Sequence, residues 1–118
     1  MQNPKRQDRD LRPALVFLSG DLIAVPIPLE REVVILGREI GADVRVNDQK
    51  VSRRHAMIIT ATDPEGDVTY TIRDFGSRNG TLLNGERVRE EVLRNGDKIA
   101  IGDQIMRFDL LDEIDREA

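Results

Sequence analysis

Val68-Thr69-Tyr70-Thr71-Ile72-Arg73 is followed by Asp74-Phe75-Gly76-Ser77-Arg78-Asn79-Gly80, and then by Thr81-Leu82-Leu83-Asn84-Gly85-Glu86-Arg87-Val88. The first segment alternates, with Val68, Tyr70 and Ile72 on one face of a strand. Asp74 to Gly80 reads as a long loop. Leu82-Leu83 starts a short strand, Asn84-Gly85 turns it, and Arg87-Val88 returns. A strand, a loop and a hairpin in 21 residues leave no room for a helix.

The same grammar extends outward in both directions. Upstream, Ala14 to Leu18 is an apolar run, Ser19-Gly20-Asp21 a turn, and Leu22 to Ile27 a return strand. Pro26 and Pro28 put that strand at an edge or end it early, because proline has no N–H for a ladder. Glu32 to Leu36 is a short strand closed by Gly37. Val44 and Val46 flank Arg45 in period two. Ala56 to Ala61 precedes the turn Asp63-Pro64-Glu65-Gly66. Downstream come Val92-Leu93, a turn at Asn95-Gly96-Asp97, Lys98 to Ile101, a turn at Gly102-Asp103, and Ile105 to Phe108. Many short strands between Gly, Asn and Asp turns predict an all-β, antiparallel β-sandwich. Helical spacing enters only at Leu110, Leu111 and Ile114, where one short amphipathic turn is expected.

Composition bounds the rest. The 118 residues suit one domain, large enough for a core without staples. There is no Trp, one Tyr and three Phe, so the core must be Val, Ile and Leu. With no Cys, disulfides and thiolate metal sites are excluded, and a reducing interior is permitted. No apolar run has the roughly 18 residues of a membrane span, and Met1 to Arg12 lacks the apolar stretch of a signal peptide. The expected location is therefore cytoplasmic, with no membrane partner. Net charge is −4, the value carried by residues 109–118 alone, whereas residues 1–12 carry +2. An acidic chain poor in aromatics makes nucleic acid an unexpected partner. Residues 1–12 are expected as a flexible arm, 13–110 as the domain, and 111–118 as an acidic tail or the start of a linker helix.

Four motifs stand in order: Gly37-Arg38, Ser52-Arg53-Arg54-His55, Asn79-Gly80-Thr81, and Asn95-Gly96-Asp97 with Ile101-Gly102. Each is weak alone. Together, on this β pattern, they resemble the forkhead-associated (FHA) domain over about residues 14–110. The resemblance implies an eleven-stranded sandwich whose loops at one end bind phosphothreonine peptides. Arg38 would then contact phosphate, as a guanidinium can with two parallel hydrogen bonds. Ser52 would donate its hydroxyl, and Arg53 would face the ligand while Arg54 faces solvent. Asn79 would pair with the peptide main chain through one donor and one acceptor. Ser77 and Arg78 would touch the phosphate or neighbouring residues. Gly37, His55, Gly80 and Thr81 would support the site.

Competing readings fare worse. Asp74-Phe75-Gly76 copies a kinase magnesium motif, but the rest of the kinase set is missing. There is no Gly-Lys-Ser/Thr phosphate loop. The sole His, without Cys or a second His, makes a poor zinc site. No metal, cofactor or catalytic residue is expected. Two alternatives remain: an assembly module that docks a partner without phosphate, and the regulatory domain of a diguanylate cyclase. The second rests on Phe108 to Asp115, which is similar to the junction after FHA domains in some proteins with a GGDEF domain. Oligomeric state is not legible.

Overall fold

A computed structural model of the chain describes residues 11–20 and 23–112. Eleven strands make up its regular structure: β1 (Leu11–Phe17), β2 (Pro26–Pro28), β3 (Val33–Gly37), β4 (Val44–Arg45), β5 (Ala56–Thr62), β6 (Val68–Asp74), β7 (Thr81–Leu83), β8 (Glu86–Val88), β9 (Glu90–Val92), β10 (Lys98–Ile101) and β11 (Gln104–Asp112). They form two sheets. One has six strands in the order β2-β1-β11-β10-β7-β8, the other five in the order β4-β3-β5-β6-β9.

The core lies between the sheets and follows period-two alternation. Ile99 and Ile101 on β10 and Met106 and Phe108 on β11 are buried, as are Val34 and Leu36 on β3, Ile58 on β5, and Tyr70 and Ile72 on β6. Tyr70 and Phe108 meet across the layers, ring centroids 5.3 Å apart and planes tilted by 55°. That is the favoured edge-inclined geometry for an aromatic pair. The aliphatic core expected from composition is completed by three of the four aromatic side chains, Phe17, Tyr70 and Phe108.

β1 departs from alternation, for Ala14, Leu15, Val16 and Phe17 are all buried. Leu15 and Phe17 join the core cluster. Ala14 and Val16 lie on the other face, between Pro28 and Pro26 of β2 and Asp109 and Arg107 of β11. The Arg107 guanidinium and Asp109 carboxylate form a two-point pair at 2.7 and 2.8 Å there.

Four expectations need correcting. The ladder of β1 begins at Leu11, opposite Asp112 of β11, so Leu11 and Arg12 belong to a strand and not to an arm. Leu110 and Leu111 are strand as well, because pairing with β1 satisfies their backbone where a helical turn would leave the edge of β1 open. Ile114 lies outside the described residues. The first return strand starts only at Pro26, and Asp21 and Leu22 lie outside the described residues. Finally, Asn95-Gly96, whose letters read as a hairpin turn by default, does not turn a hairpin. It carries the chain from β9 in one sheet to β10 in the other, with Asn95 Oδ1 accepting from Leu110 N at 2.8 Å. Asn84-Gly85 is the hairpin turn, with φ of 50° and 87°, the left-handed pair a two-residue turn requires.

One pairing, β3 with β4, is parallel: Leu36 faces Val44 and Gly37 faces Arg45. Residues 38–43 make this short return possible. Ala42 N bonds Glu39 O, and the Asp43 carboxylate accepts from Ile35 N at 2.8 Å. The detour leaves Arg38 at the end of the sandwich instead of in its wall.

Candidate functional site

Residues 52–55 run beside 36–39. Arg38 N donates to Ser52 O, Glu39 N to Arg53 O, and His55 N to Leu36 O, at 3.0, 3.2 and 2.8 Å. Gly37 permits this approach. A Cβ at residue 37 would overlap the Arg53 carbonyl oxygen, a backbone atom that cannot swing aside.

Lys50, Val51 and Ser52, consecutive in sequence, then gather three pieces of the predicted site. Asn79 Nδ2 donates to Lys50 O at 2.7 Å. Arg38 Nε donates to Val51 O at 2.9 Å. Ser52 Oγ accepts from Arg78 N at 3.2 Å. Arg38, Ser52, Arg78 and Asn79 thus lie around one short segment at one end of the sandwich. Each anchoring bond also leaves capacity free. Arg38 keeps both Nη groups, Ser52 keeps its hydroxyl proton, and Asn79 keeps a second N–H and its Oδ1.

The segment itself is braced by Asp48. Its carboxylate accepts from Lys50 N at 2.8 Å and Asp103 N at 2.9 Å, so the turn at Gly102-Asp103 joins the same end. These backbone donors, Lys50 first, hold the Asp48 carboxyl below its ordinary range. Lys50 Nζ closes the link on Asp103 at 3.1 Å.

His55 is fully buried and locks two loops together. Its Nδ1 accepts from Ser52 N at 3.0 Å, and its Nε2 sits 2.8 Å from Gly80 O. Since Gly80 O can only accept, Nε2 must carry the proton; the neighbours assign the tautomer.

Asp74 organises the loop after β6. Oδ1 accepts from the Ser77 hydroxyl at 2.6 Å and from Thr81 Oγ1 at 2.7 Å, while Oδ2 accepts from Gly76 N and Ser77 N at 2.8 Å. Burial pushes the Asp74 carboxyl up, but the bonds from Ser77, Thr81 and Gly76 outweigh it and leave it below the ordinary carboxylate value. Ser77 Oγ in turn accepts from Gly80 N at 3.0 Å. Gly80 has φ of 88°, a left-handed backbone suited to glycine. Thr81 is fully buried.

This bears on two sequence expectations. Ser77 has one hydroxyl proton, and Asp74 accepts it, so Ser77 braces the loop. Asp74, set aside as part of a false kinase motif, turns out to be the loop's central acceptor. An Asp followed two and three residues on by Gly and Ser is the signature of such a side-chain-to-backbone turn, and it was readable.

Charges at this end divide into paired and unpaired. Arg54 is bound to Glu39 at 3.0 Å, and Arg45 Nε donates to Arg38 O at 3.1 Å. The side chains of Arg53 and Arg78 are exposed and make no hydrogen bond or ion pair among the described residues. Among the described residues no cluster of three or more His, Asp or Glu could hold a metal.

Comparison with known proteins agrees with this geometry. The FHA domain model matches residues 34–102, the span from β3 through Gly102. The oxoglutarate dehydrogenase inhibitor of Corynebacterium jeikeium is 40% identical over 74 residues, which are 63% of this chain and 48% of that protein. The glycogen accumulation regulator GarA of Mycobacterium tuberculosis is 36% identical over 63% of this chain and 43% of its own. The chain thus spans about half the length of these curated relatives. Among solved structures, Mycobacterium tuberculosis EmbR in complex with a low-affinity phosphopeptide superposes with a TM-score of 0.72, at 29% identity, over 85% of this chain and 24% of EmbR. A domain solved in work on phosphothreonine-dependent FHA interactions gives 0.71 at 30% identity, over 83% of this chain and 95% of its own. With the motifs in order, the loops joined at one end of a two-sheet sandwich, and more than half of the chain matched by the family model, the chain belongs to the FHA domain family.

Proposed function

We propose that this domain binds phosphothreonine-containing segments of partner proteins, as a non-catalytic signalling module. The observation that carries the reading is the set of donors left free around residues 50–52: the Nη groups of Arg38, the hydroxyl of Ser52 and the amide of Asn79. A phosphoryl group carries close to two negative charges and three strong acceptor oxygens. It needs fixed donors and positive charge, and charge-assisted bonds to them are the strong ones. Arg38 and Ser52 supply the phosphate contacts. Arg53 and Arg78, both unpaired among the described residues, add positive potential. Asn79 pairs with the main chain of the peptide. Gly37, His55, Gly80 and Thr81 hold the loops, and the bonds described above place Ser77 with them.

The relatives point the same way, for EmbR was solved with a phosphopeptide and two curated relatives are named an inhibitor and a regulator. The reading of a diguanylate cyclase parent rests on the likeness of Phe108 to Asp115 to a domain junction, and strand β11 runs through the first part of that segment, to Asp112. A phosphorylated partner presupposes a kinase with access to ATP, which supports a cytoplasmic location for the domain.

Calorimetric titration with matched phosphothreonine and unmodified peptides tests the proposal. Binding confined to the phosphorylated form is expected. Equal affinity for both forms would instead favour a docking module indifferent to phosphate.

A further inference from the structure

Arg87 lies on β8, opposite Leu82 of β7, outside the motifs that define the site. Its guanidinium nevertheless rests over Gly80: a Cβ on that glycine would stand 2.7 Å from Arg87 Nε and 2.9 Å from Cζ. It therefore sits against the Asn79-Gly80 backbone, beside the residue read above as the peptide's main-chain partner. Arg87 is exposed, and its side chain makes no hydrogen bond or ion pair among the described residues. Its chain neighbours Glu86 and Val88 point to the other face of the strand.

Two further cations share this flank. Arg78 precedes Asn79 in the loop. Arg89 is held close by its backbone, whose carbonyl accepts from Asp74 N at 2.8 Å. The side chains of both are exposed and unpaired among the described residues. The nearby acid Glu90 is engaged by Arg73 at 2.6 Å. On the opposite flank Arg54 is bound to Glu39 and Lys50 to Asp103, which leaves Arg53 alone unpaired there among the described residues.

We infer that Arg87, with Arg78 and Arg89 beside it, is a specificity-determining residue that selects phosphothreonine peptides carrying a second anionic group next to the phosphothreonine. This rests on the phosphothreonine reading above. The physical reason is the uncompensated positive flank. A peptide whose main chain is held by Asn79 passes Gly80, and a carboxylate or second phosphate there meets a guanidinium with no competing acceptor among the described residues. Bidentate pairing with either is available to the Arg87 fork.

The test is a panel of phosphothreonine peptides with alanine flanks, into which one Glu or one phosphoserine is placed at each position in turn. Affinities are read by fluorescence anisotropy for the wild type, Arg87→Gln and Arg87→Lys. At one or more positions Glu should raise wild-type affinity about three- to fivefold, the range of a partly exposed ion pair, with the advantage fading as salt rises. Phosphoserine at the same position separates the two sources: a larger gain than Glu assigns the flank to a second phosphate, an equal or smaller gain to a carboxylate. In Arg87→Gln the ratio of anionic to alanine-flanked affinity should fall toward one, while Arg87→Lys should retain part of it. A ratio near one in the wild type overturns the inference and leaves phosphothreonine binding intact. So does a parallel loss for all peptides in Arg87→Gln, which would make Arg87 a prop for Gly80. If no phosphopeptide binds the wild type, the underlying reading fails first.

Discussion

His55 Nε2 donates to the carbonyl oxygen of Gly80 at 2.8 Å, joining residues 25 apart in the chain. The same ring accepts from Ser52 N, so one imidazole fixes two of the three loops that carry the candidate ligand contacts. Replacing His55 with Ala strands a part-buried N–H and a buried carbonyl and opens a cavity. Unsatisfied groups of this kind cost about 1–3 kcal/mol each. Scanning calorimetry of His55→Ala should show a melting temperature lower by on the order of 10 °C. An unchanged melting point would remove His55 from the scaffold.

Arg38→Ala should weaken phosphopeptide binding about tenfold to hundredfold, the equivalent of one charge-assisted hydrogen bond of about 1.5–3 kcal/mol. Arg54 supplies the control. Its pair with Glu39 is largely exposed, at 67% and 35% for the two side chains, and such pairs contribute little. Calorimetric titration of Arg54→Ala should reproduce wild-type affinity within about threefold.

Ser52→Ala and Asn79→Ala should lose affinity with nearly the wild-type melting temperature, since each makes a single exposed or part-buried anchoring bond. Ser77→Ala should do the reverse. It removes a hydroxyl that both donates to Asp74 and accepts from Gly80 N. Measuring melting temperature and Kd on the three variants together separates the two roles.

Asp74 predicts an acid limb in stability. Its carboxyl titrates below its ordinary value in the fold, while in the unfolded chain it titrates at about 3.9. The unfolded state therefore takes up the proton first. The stabilisation is fully present above the unfolded value and is lost as pH falls through the folded one, below about pH 4. Thermal melts of wild type and Asp74→Asn across pH 3 to 7 should differ most at pH 7 and converge at the acid end. Asp48, shifted the same way, should leave a residual acid limb in the variant.

Gly37→Ala should destabilise the fold by about 1–3 kcal/mol, the usual effect of overpacking. The new methyl meets the Arg53 carbonyl, and relief requires moving the 52–55 segment with its bonds to 36–39. Urea unfolding measures the loss, and phosphopeptide affinity should fall with it because Ser52 moves too.

Strands came through in the sequence wherever one face is buried and one is wet. β6 with Tyr70 and Ile72, β10 with Ile99 and Ile101, and the Asn84-Gly85 hairpin are examples. The reading failed where long-range pairing decides. Leu110 and Leu111 suit a helical turn locally, but β1 offers them a partner nearly a hundred residues away. Asn95-Gly96 carries hairpin letters and performs a sheet crossing, because dipeptides specify a bend and not which strands it joins. In the site, motif residues were visible because their types are chemically demanding. The carbonyls of Lys50 and Val51, equally part of the assembly, carry no side-chain signature at all. The direction of the Ser77 proton depends on Asp74 being within reach, which only folding supplies.

The pairing of Leu11 with Asp112 has a practical corollary. Strand β11 spans nine residues from Gln104, beside the Gly102-Asp103 turn, to Asp112, a run of about 25 Å at the usual rise. The backbone thus enters and leaves side by side, far from the loops that hold Arg38 and Asn79. A fluorophore placed at the described end of either strand would sit on the blind side of the sandwich. From that end the binding face can be labelled without being shaded.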